Sequence, residues 1–351
     1  MTTPDKQFRQ DELARMEPTS RAILNQLGLT TGDVRQDADA VQWTSRELLY
    51  VRRKVFEVNY PDLLGMIFVP PDNESTDAGA SHFTYNYTDR VGRAKLAGAM
   101  PRGNIPRVDV KTEQATPIEI QSIVLAYGWN LQELRAEIFA RRPLSGARAI
   151  ATRKTMAQEH DDIILIGDGT ADYKYLRGLF KLPITGGSAV NVYTVPNGDS
   201  GSPLWANKTG MEIVADLHGL CNAIQTATNG VEVASMVGLP LTSMTTAMQK
   251  RIGDGSSVSA LDYFIEQRKK MTRGYFQGVE ASVKLETAGA TSNKRMAAYD
   301  RNADKVFRVD PIEFEQLPPQ VDGFETVINC HMRTAGVCNP YPKSVAYGDG
   351  I

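Results

Sequence analysis

Cysteine is scarce in this chain: Cys221, Cys330 and Cys338 are the only three in 351 residues. They are too few and too scattered for a disulfide framework, which points to a reducing compartment. Long apolar runs are missing as well. The longest strongly apolar stretch runs from Ile163 to Ile166, far short of the roughly 20 residues of a membrane-spanning helix. The opening residues, Met1-Thr-Thr-Pro-Asp-Lys-Gln-Phe-Arg-Gln-Asp-Glu, hold no apolar centre of a secretory signal, so a cytosol-like space is expected. There is no basic excess either. The 39 Lys and Arg against 41 Asp and Glu leave a formal charge of −2, which argues against a dedicated nucleic-acid binder, though not against a surface lying close to nucleic acid. No internal repeat and no low-complexity tract is found. What remains is the composition of a soluble globular protein, 42% hydrophobic and 23% charged, with room for one large or two ordinary domains.

The most informative stretch is a charged arm that runs into a helix. Phe83, Tyr85 and Tyr87 alternate with His82, Thr84, Asn86 and Thr88, and the alternation returns at Val108, Val110, Ile118 and Ile120. That is strand periodicity, broken by the Pro, Gly and Asn of residues 99–106. A two-stranded arm with so little apolar surface is not stable alone. It is expected to rest on something outside its own domain, which means assembly.

Residues 1–45 are polar and read as an extension, followed by a helix from Ser45 or Glu47 to about Val58 and a strand from Leu63 to Val69. Asn130 and Glu133 form a capping-box pattern for a helix that Pro143 stops. From 146 to 166, Ala149, Met156 and Ile163 beside Ile150, Ala157 and Ile164 predict the longest helix, buried along both rows and closed by Gly167-Asp168-Gly169. Gly, Ser, Asn and Pro between 186 and 202 suggest a boundary. Beyond it, Thr209 and Glu212 repeat the capping box ahead of the stripe Ile213, Leu217, Leu220, Cys221 and Ile224. Strands at 231–237 and 281–285 flank a helix at 259–271, and further strands are expected at 306–309, 313–315, 325–330 and 345–347.

The inventory of reactive groups is short. Asp216 and His218 stand two apart on a helix and cannot face each other, which leaves His218 a solvated histidine opposite the apolar stripe. Cys330 and His331 point to opposite faces of a strand, so with Cys338 they cannot close on one ion. Glu159-His160-Asp161-Asp162 lacks the spacing of a helical zinc site, and neighbouring arginines are its expected partners. Gly-Asp-Gly at 167, 253 and 348 lacks the longer spacing of phosphate or calcium loops and reads as turn chemistry. Arg135, Arg141, Arg142, Arg148, Arg153 and Lys154 spread along two helices and read first as a solvated face, with subunit contacts and proximity to nucleic acid as the alternatives. No catalytic, cofactor or metal residue is assigned.

Against this background the order of parts resembles the major capsid proteins of tailed bacteriophages. The resemblance is carried by Tyr85-Asn-Tyr-Thr-Asp-Arg-Val-Gly-Arg-Ala-Lys, Ile105-Pro-Arg-Val-Asp-Val-Lys, Tyr127-Gly-Trp-Asn-Leu-Gln-Glu-Leu-Arg-Ala, Pro143-Leu to Gly167-Asp, and Leu176-Arg-Gly-Leu. Arg295-Met-Ala-Ala-Tyr, Phe314-Glu-Gln-Leu-Pro-Pro-Gln and Ser344-Val-Ala-Tyr-Gly-Asp-Gly-Ile continue it near the end. It implies an α+β, Hong Kong 97-like fold. Residues 1–45 would be the N-terminal arm, 46–80 the first part of a peripheral domain, and 81–116 an extended loop overlying a neighbouring subunit. Residues 117–205 would continue the peripheral domain with a spine helix at 146–166, 206–304 would form the axial domain, and 305–351 would return as peripheral strands.

By the same resemblance the protein is a structural shell protein and not an enzyme, forming hexamers and pentamers of an icosahedral capsid around double-stranded DNA. Its partners would be itself, the packaged DNA, and portal, scaffold and decoration or cement proteins, without a membrane. It would reside in the virion and, during assembly, in the host cytoplasm. No long helical scaffold segment precedes the arm, so a scaffold would be separate or absent, and no cross-linking chemistry attaches to Lys95 or Lys111. The inter-subunit contact residues would be Tyr85, Tyr87, Arg90, Arg93, Lys95, Arg102, Arg107 and Lys111, meeting acids among Glu133, Glu137, Glu159, Asp161 and Asp162. The competing readings are a compartment of the same fold enclosing an enzyme cargo and, from another class, a soluble hydrolase using His218 or the Cys330 to Cys338 segment.

Overall fold

Two sheets share one long helix. The computed structural model describes residues 63–74, 76–92, 107–140, 144–168, 176–185, 189–253, 255 and 257–351. The expected N-terminal arm, the helix at 45–58 and the loop tip at 93–106 lie outside them. In chain order the regular elements are α1 (Gly65–Phe68), β1 (His82–Phe83), β2 (Asn86–Val91), β3 (Asp109–Gln114), β4 (Ile118–Glu119) and β5 (Gln121–Asn130). Then come α2 (Leu131–Ala140), α3 (Leu144–Leu165), β6 (Asn191–Thr194), α4 (Gly210–Ala227), β7 (Met236–Pro240), α5 (Leu241–Gln249) and α6 (Ala260–Met271). The remainder is strand: β8 (Gly278–Ser282), β9 (Arg295–Tyr299), β10 (Phe307–Arg308), β11 (Ile312–Gln316), β12 (Gln320–Asp322), β13 (Glu325–Thr334), β14 (Val337–Cys338) and β15 (Val345–Asp349).

The first sheet has five strands in the order β6-β15-β9-β7-β8, parallel at its two outer pairs and antiparallel within. Successive side chains point to opposite faces, and both faces are apolar here. Val237, Leu239, Met296, Ala298 and Ala346 join the stripe of α4 and Phe264 of α6 in one core. Met236, Ala297, Tyr299, Val345 and Tyr347 join Phe68, Phe180, Ile164 and Leu165 in another. Local signals set the covering helices as the sequence predicts: Thr209 Oγ1 accepts from the Glu212 N–H while a Glu212 carboxylate oxygen accepts from the Thr209 N–H at 2.6 Å. Ser259 caps α6 by accepting from the Asp262 N–H. Arg295 clamps β9 to β15, its Nε and Nη2 donating to the two Asp349 carboxylate oxygens at 2.6 and 2.8 Å while the guanidinium lies 4.4 Å from the Tyr347 ring centroid.

The second sheet centres on β13, which pairs with β5 along ten residues, from Glu325↔Asn130 to Thr334↔Gln121, and with β11 and β12 on its other edge. Met156 of α3 packs on one face of it, against Ile328, Cys330 and Met332. Further along, the end of α3 enters the five-stranded core through Ile164 and Leu165. One helix thus belongs to both cores. Gly167 ends it at φ +83°, its N–H donating to the Ile163 carbonyl at 2.9 Å, a conformation open to glycine with little strain.

Several expectations need correction. Residues 63–69 were to be a strand; α1 forms instead, because Asp161 of α3 accepts from the Gly65 N–H at 2.5 Å and Phe68 is drawn into the core. Ile150, assigned to a buried row of α3, is 55% exposed, since the sheet covers only the line through Thr152 and Met156 at that level. The strand expected at 231–237 begins at Met236, and the one expected at 281–285 runs over Gly278–Ser282 before a single-turn helix. The Gly- and Pro-rich stretch at 186–202 contains β6, which pairs with β15. The boundaries expected at 206 and 305 therefore cut through the five-stranded sheet.

Candidate assembly surface

The arm begins in a small core. Phe83, Ile118 and Ile120 pack with Phe307, Val309 and Cys338, and the Phe83 and Phe307 rings meet edge to face at 6.1 Å. β1 pairs with β4 in the register His82↔Glu119, and β2 pairs with β3 from Asn86↔Gln114 to Val91↔Asp109. Beyond this base the arm is bare: all six residues of β2 and all six of β3 are exposed.

Residues directly opposite on paired strands share a face. One face of the hairpin holds Tyr87 opposite Glu113, Asp89 opposite Lys111, and Val91 opposite Asp109. Tyr87 Oη donates to Glu113 at 2.9 Å, which raises the phenol above its ordinary value. The other face holds Thr88 opposite Thr112 and Arg90 opposite Val110, with Val108 next in line against Gly92. Three carboxylates and one ammonium lie on the first face; a single guanidinium and no acid lie on the second.

The expected contact residues are distributed accordingly. Tyr87, Arg90, Arg107 and Lys111 are exposed, whereas Tyr85 is half-buried at the base, where burial raises its phenol. Arg93, Lys95 and Arg102 lie outside the described residues. Of the proposed acidic receivers, Glu133 is taken by Arg148 at 2.9 Å, Asp161 by the Gly65 N–H, and Asp162 by Lys284 at 2.8 Å. Glu159 is exposed, and the side chain of Glu137 is outside the described set. Among the described residues the partners seen for the 159–162 cluster are not arginines: His160 Nε2 lies 2.8 Å from Asp310 Oδ1 and ties α3 to the 308–310 segment. In the basic set, Arg153 lies 5.5 Å from the Phe314 ring centroid, Arg135 is exposed, and Arg141 and Arg142 are outside the described residues.

The groups that could do chemistry are occupied elsewhere. Burial pushes the Asp216 carboxyl up; Lys208 Nζ at 2.6 Å and Trp205 Nε1 at 3.0 Å donate to it and oppose that rise. His218 is not solvated, as its ring packs edge to face on Phe264 at 4.9 Å, and burial followed by the Arg268 charge lowers its pKa. Burial pushes the thiols of Cys221 and Cys338 to about 11 and about 12 and raises Cys330, the environment of an unreactive thiol. Among the described residues no group of three or more His, Cys, Asp or Glu side chains could hold a metal ion, and no helix is long and apolar enough to cross a membrane.

The sequence pattern of a known family, described as major capsid protein, matches residues 92–351. The chain belongs to the major capsid protein family. Its role is structural, and a hydrolase built on His218 or the Cys330 to Cys338 segment finds no support. The fold agrees: it is similar to the capsid of Myoviridae phage XM1 with a TM-score of 0.72 at 17% identity, over 88% of this chain and 98% of that one. A chain from Mycobacterium phage Bobi aligns with a TM-score of 0.56 at 10% identity, over 90% of this chain and 99% of that one. The capsid of an empty GTA particle aligns with a TM-score of 0.54 at 12% identity, again over 90% and 99%. No curated protein sequence matches significantly. The α+β architecture is the Hong Kong 97-like capsid fold expected from the sequence. In the four-stranded sheet β11 and β13 match the strands expected at 313–315 and 325–330, whereas β5 and β12 are absent from the sequence expectations, although Ile123, Tyr127 and Trp129 fall on one side of β5 and pack partly buried with Met156.

Proposed function

We propose that copies of this chain assemble into the hexamers and pentamers of an icosahedral shell that encloses double-stranded DNA, forming in the host cytoplasm and ending in the virion. The observation that carries this reading is the bare hairpin. A two-stranded ribbon exposed on both sides is at best marginally stable in water, so β2 and β3 are held in place by another copy in the shell. In this reading residues 81–116 overlie a neighbour and α3 is the spine. The five-stranded sheet with α4 and α6 stands around the capsomer axis, taking in β6 and β15 in addition to 206–304. Portal, scaffold and decoration proteins would join as separate chains.

The test is electron microscopy of the expressed chain, with nuclease digestion of particles recovered from infected cells. Closed shells or capsomers, and nuclease-resistant DNA inside infection-derived particles, are the expected results. An enzyme cargo in place of DNA would overturn the genome reading. A monomer that never assembles would overturn the shell.

A further inference from the structure

We propose that the hairpin docks by one particular face, the acid-free face bearing Thr88, Arg90, Val108, Val110 and Thr112, onto the open face of the four-stranded sheet of a second copy. The proposal rests on the shell reading and names the surface that reading leaves undefined.

The hairpin side follows from its charge. The face of Asp89, Asp109 and Glu113 satisfies part of its polar groups internally, through Tyr87 to Glu113 and the Val110 N–H to Asp109. It leaves excess negative charge pointing outward. The opposite face exposes Val108 and Val110 at 69% and 57% beside Arg90, which has no ion pair among the described residues. Adjacent exposed valines with an unpaired arginine and no acid make a surface suited to an apolar strip edged by a carboxylate.

The receiving surface has that composition. Cross-strand register puts Glu315, His331 and Val124 in one row, with Asn329 opposite Ala126 in the next. This row faces away from α3, because Ile328, Cys330 and Met332, which meet Met156, alternate with it. Val124 is 71% exposed, and the Glu315 side chain is 51% exposed, its one ion-pair partner among the described residues being His331 at 3.6 Å. Val108 and Val110 would lie over Val124 and Ala126, and Arg90 would reach Glu315. Both surfaces are extended strands, so the hairpin can stack face to face on the sheet at the ~10 Å spacing of packed sheets.

The test uses the full chain with paired cysteines, the native three being buried. Val110→Cys with Val124→Cys should give a ladder of disulfide-linked chains when assembled particles are oxidised. Val91→Cys with Val124→Cys, which moves the thiol to the acidic face, should not. A ladder from the second pair, or none from the first in intact particles, overturns the face assignment while leaving the shell reading untouched. Arg90→Glu should lower particle yield several-fold at low salt, and adding Glu315→Arg should restore much of it. Unchanged yield for Arg90→Glu, or no rescue, counts against the Arg90 to Glu315 pairing. If the unmodified chain forms no particle under any condition, the shell reading fails and this docking falls with it.

Discussion

Every residue of β7 and β9 is buried, and every residue of β2 and β3 is exposed, although all four strands are five or six residues long. The first pair reads Met-Val-Gly-Leu-Pro and Arg-Met-Ala-Ala-Tyr, the second Asn-Tyr-Thr-Asp-Arg-Val and Asp-Val-Lys-Thr-Glu-Gln. Continuous apolar strands need cover on both sides and find it within the chain. The mixed strands of the hairpin find none there, and their stability must come from a neighbour, as binding to the folded form alone stabilises it by mass action. The four-stranded sheet stands between these extremes, covered by α3 on one face and open at Val124 on the other. The same backbone geometry thus serves subunit stability in one region and assembly in the other.

Truncation in the five-stranded region should have the largest effect. Phe264 is fully buried between the rings of His218 and Phe276, and Phe264→Ala should lower the stability of the unassembled subunit by about 3–5 kcal/mol in urea denaturation. Lys208→Met should cost a similar amount, about 3–5 kcal/mol, because it leaves the buried Asp216 carboxylate without its ammonium. A loss below about 1 kcal/mol in either would mean that the region yields easily, and the contrast with the hairpin would weaken.

Acid should also act on the packed region. Burial alone would raise Asp310 and Asp349, but His160 and Arg295 respectively hold both carboxyls below the ordinary value. A depressed carboxyl contributes stability that is present above its unfolded pKa of about 3.9 and lost as pH falls through the folded value. Asp161 and Asp216, raised chiefly by burial, act with the opposite sign, easing strain as they protonate at higher pH. Subunit stability should therefore hold through mild acid and fall below about pH 4. Asp310→Asn should flatten that fall in urea midpoints taken from neutral pH downward; an unchanged slope would show that Asp310 is not among the groups responsible.

The smallest effect on the subunit belongs to the hairpin. Val110→Ala should change subunit stability by less than about 0.5 kcal/mol, the usual range for exposed positions, while reducing particle yield in sedimentation. A large loss of subunit stability would show that Val110 is packed within its own chain.

Much of this division was legible in the residues. Thr209 with Glu212 and the stripe from Ile213 to Ile224 marked α4, since capping and 3.6-residue periodicity are local. The hairpin was legible for the same reason, through the alternation around Tyr87 and Val110. Long-range pairing was not: β6 lies in a stretch dominated by Gly, Ser and Pro, and its place is set by β15, more than one hundred and fifty residues later. The turn of helix at Gly65 depends on Asp161, 96 residues later. The charge of the loop was legible as a sum, but its separation onto two faces needed the register of β2 and β3.

Hydrogen exchange of the hairpin amides, compared between the unassembled subunit and the intact particle, tests the central claim most directly. The amides of β2 and β3 should exchange rapidly in the subunit and become protected in the particle, while β7 and β9 stay protected in both. Hairpin amides equally protected in the free subunit, or equally open in the particle, would contradict the account.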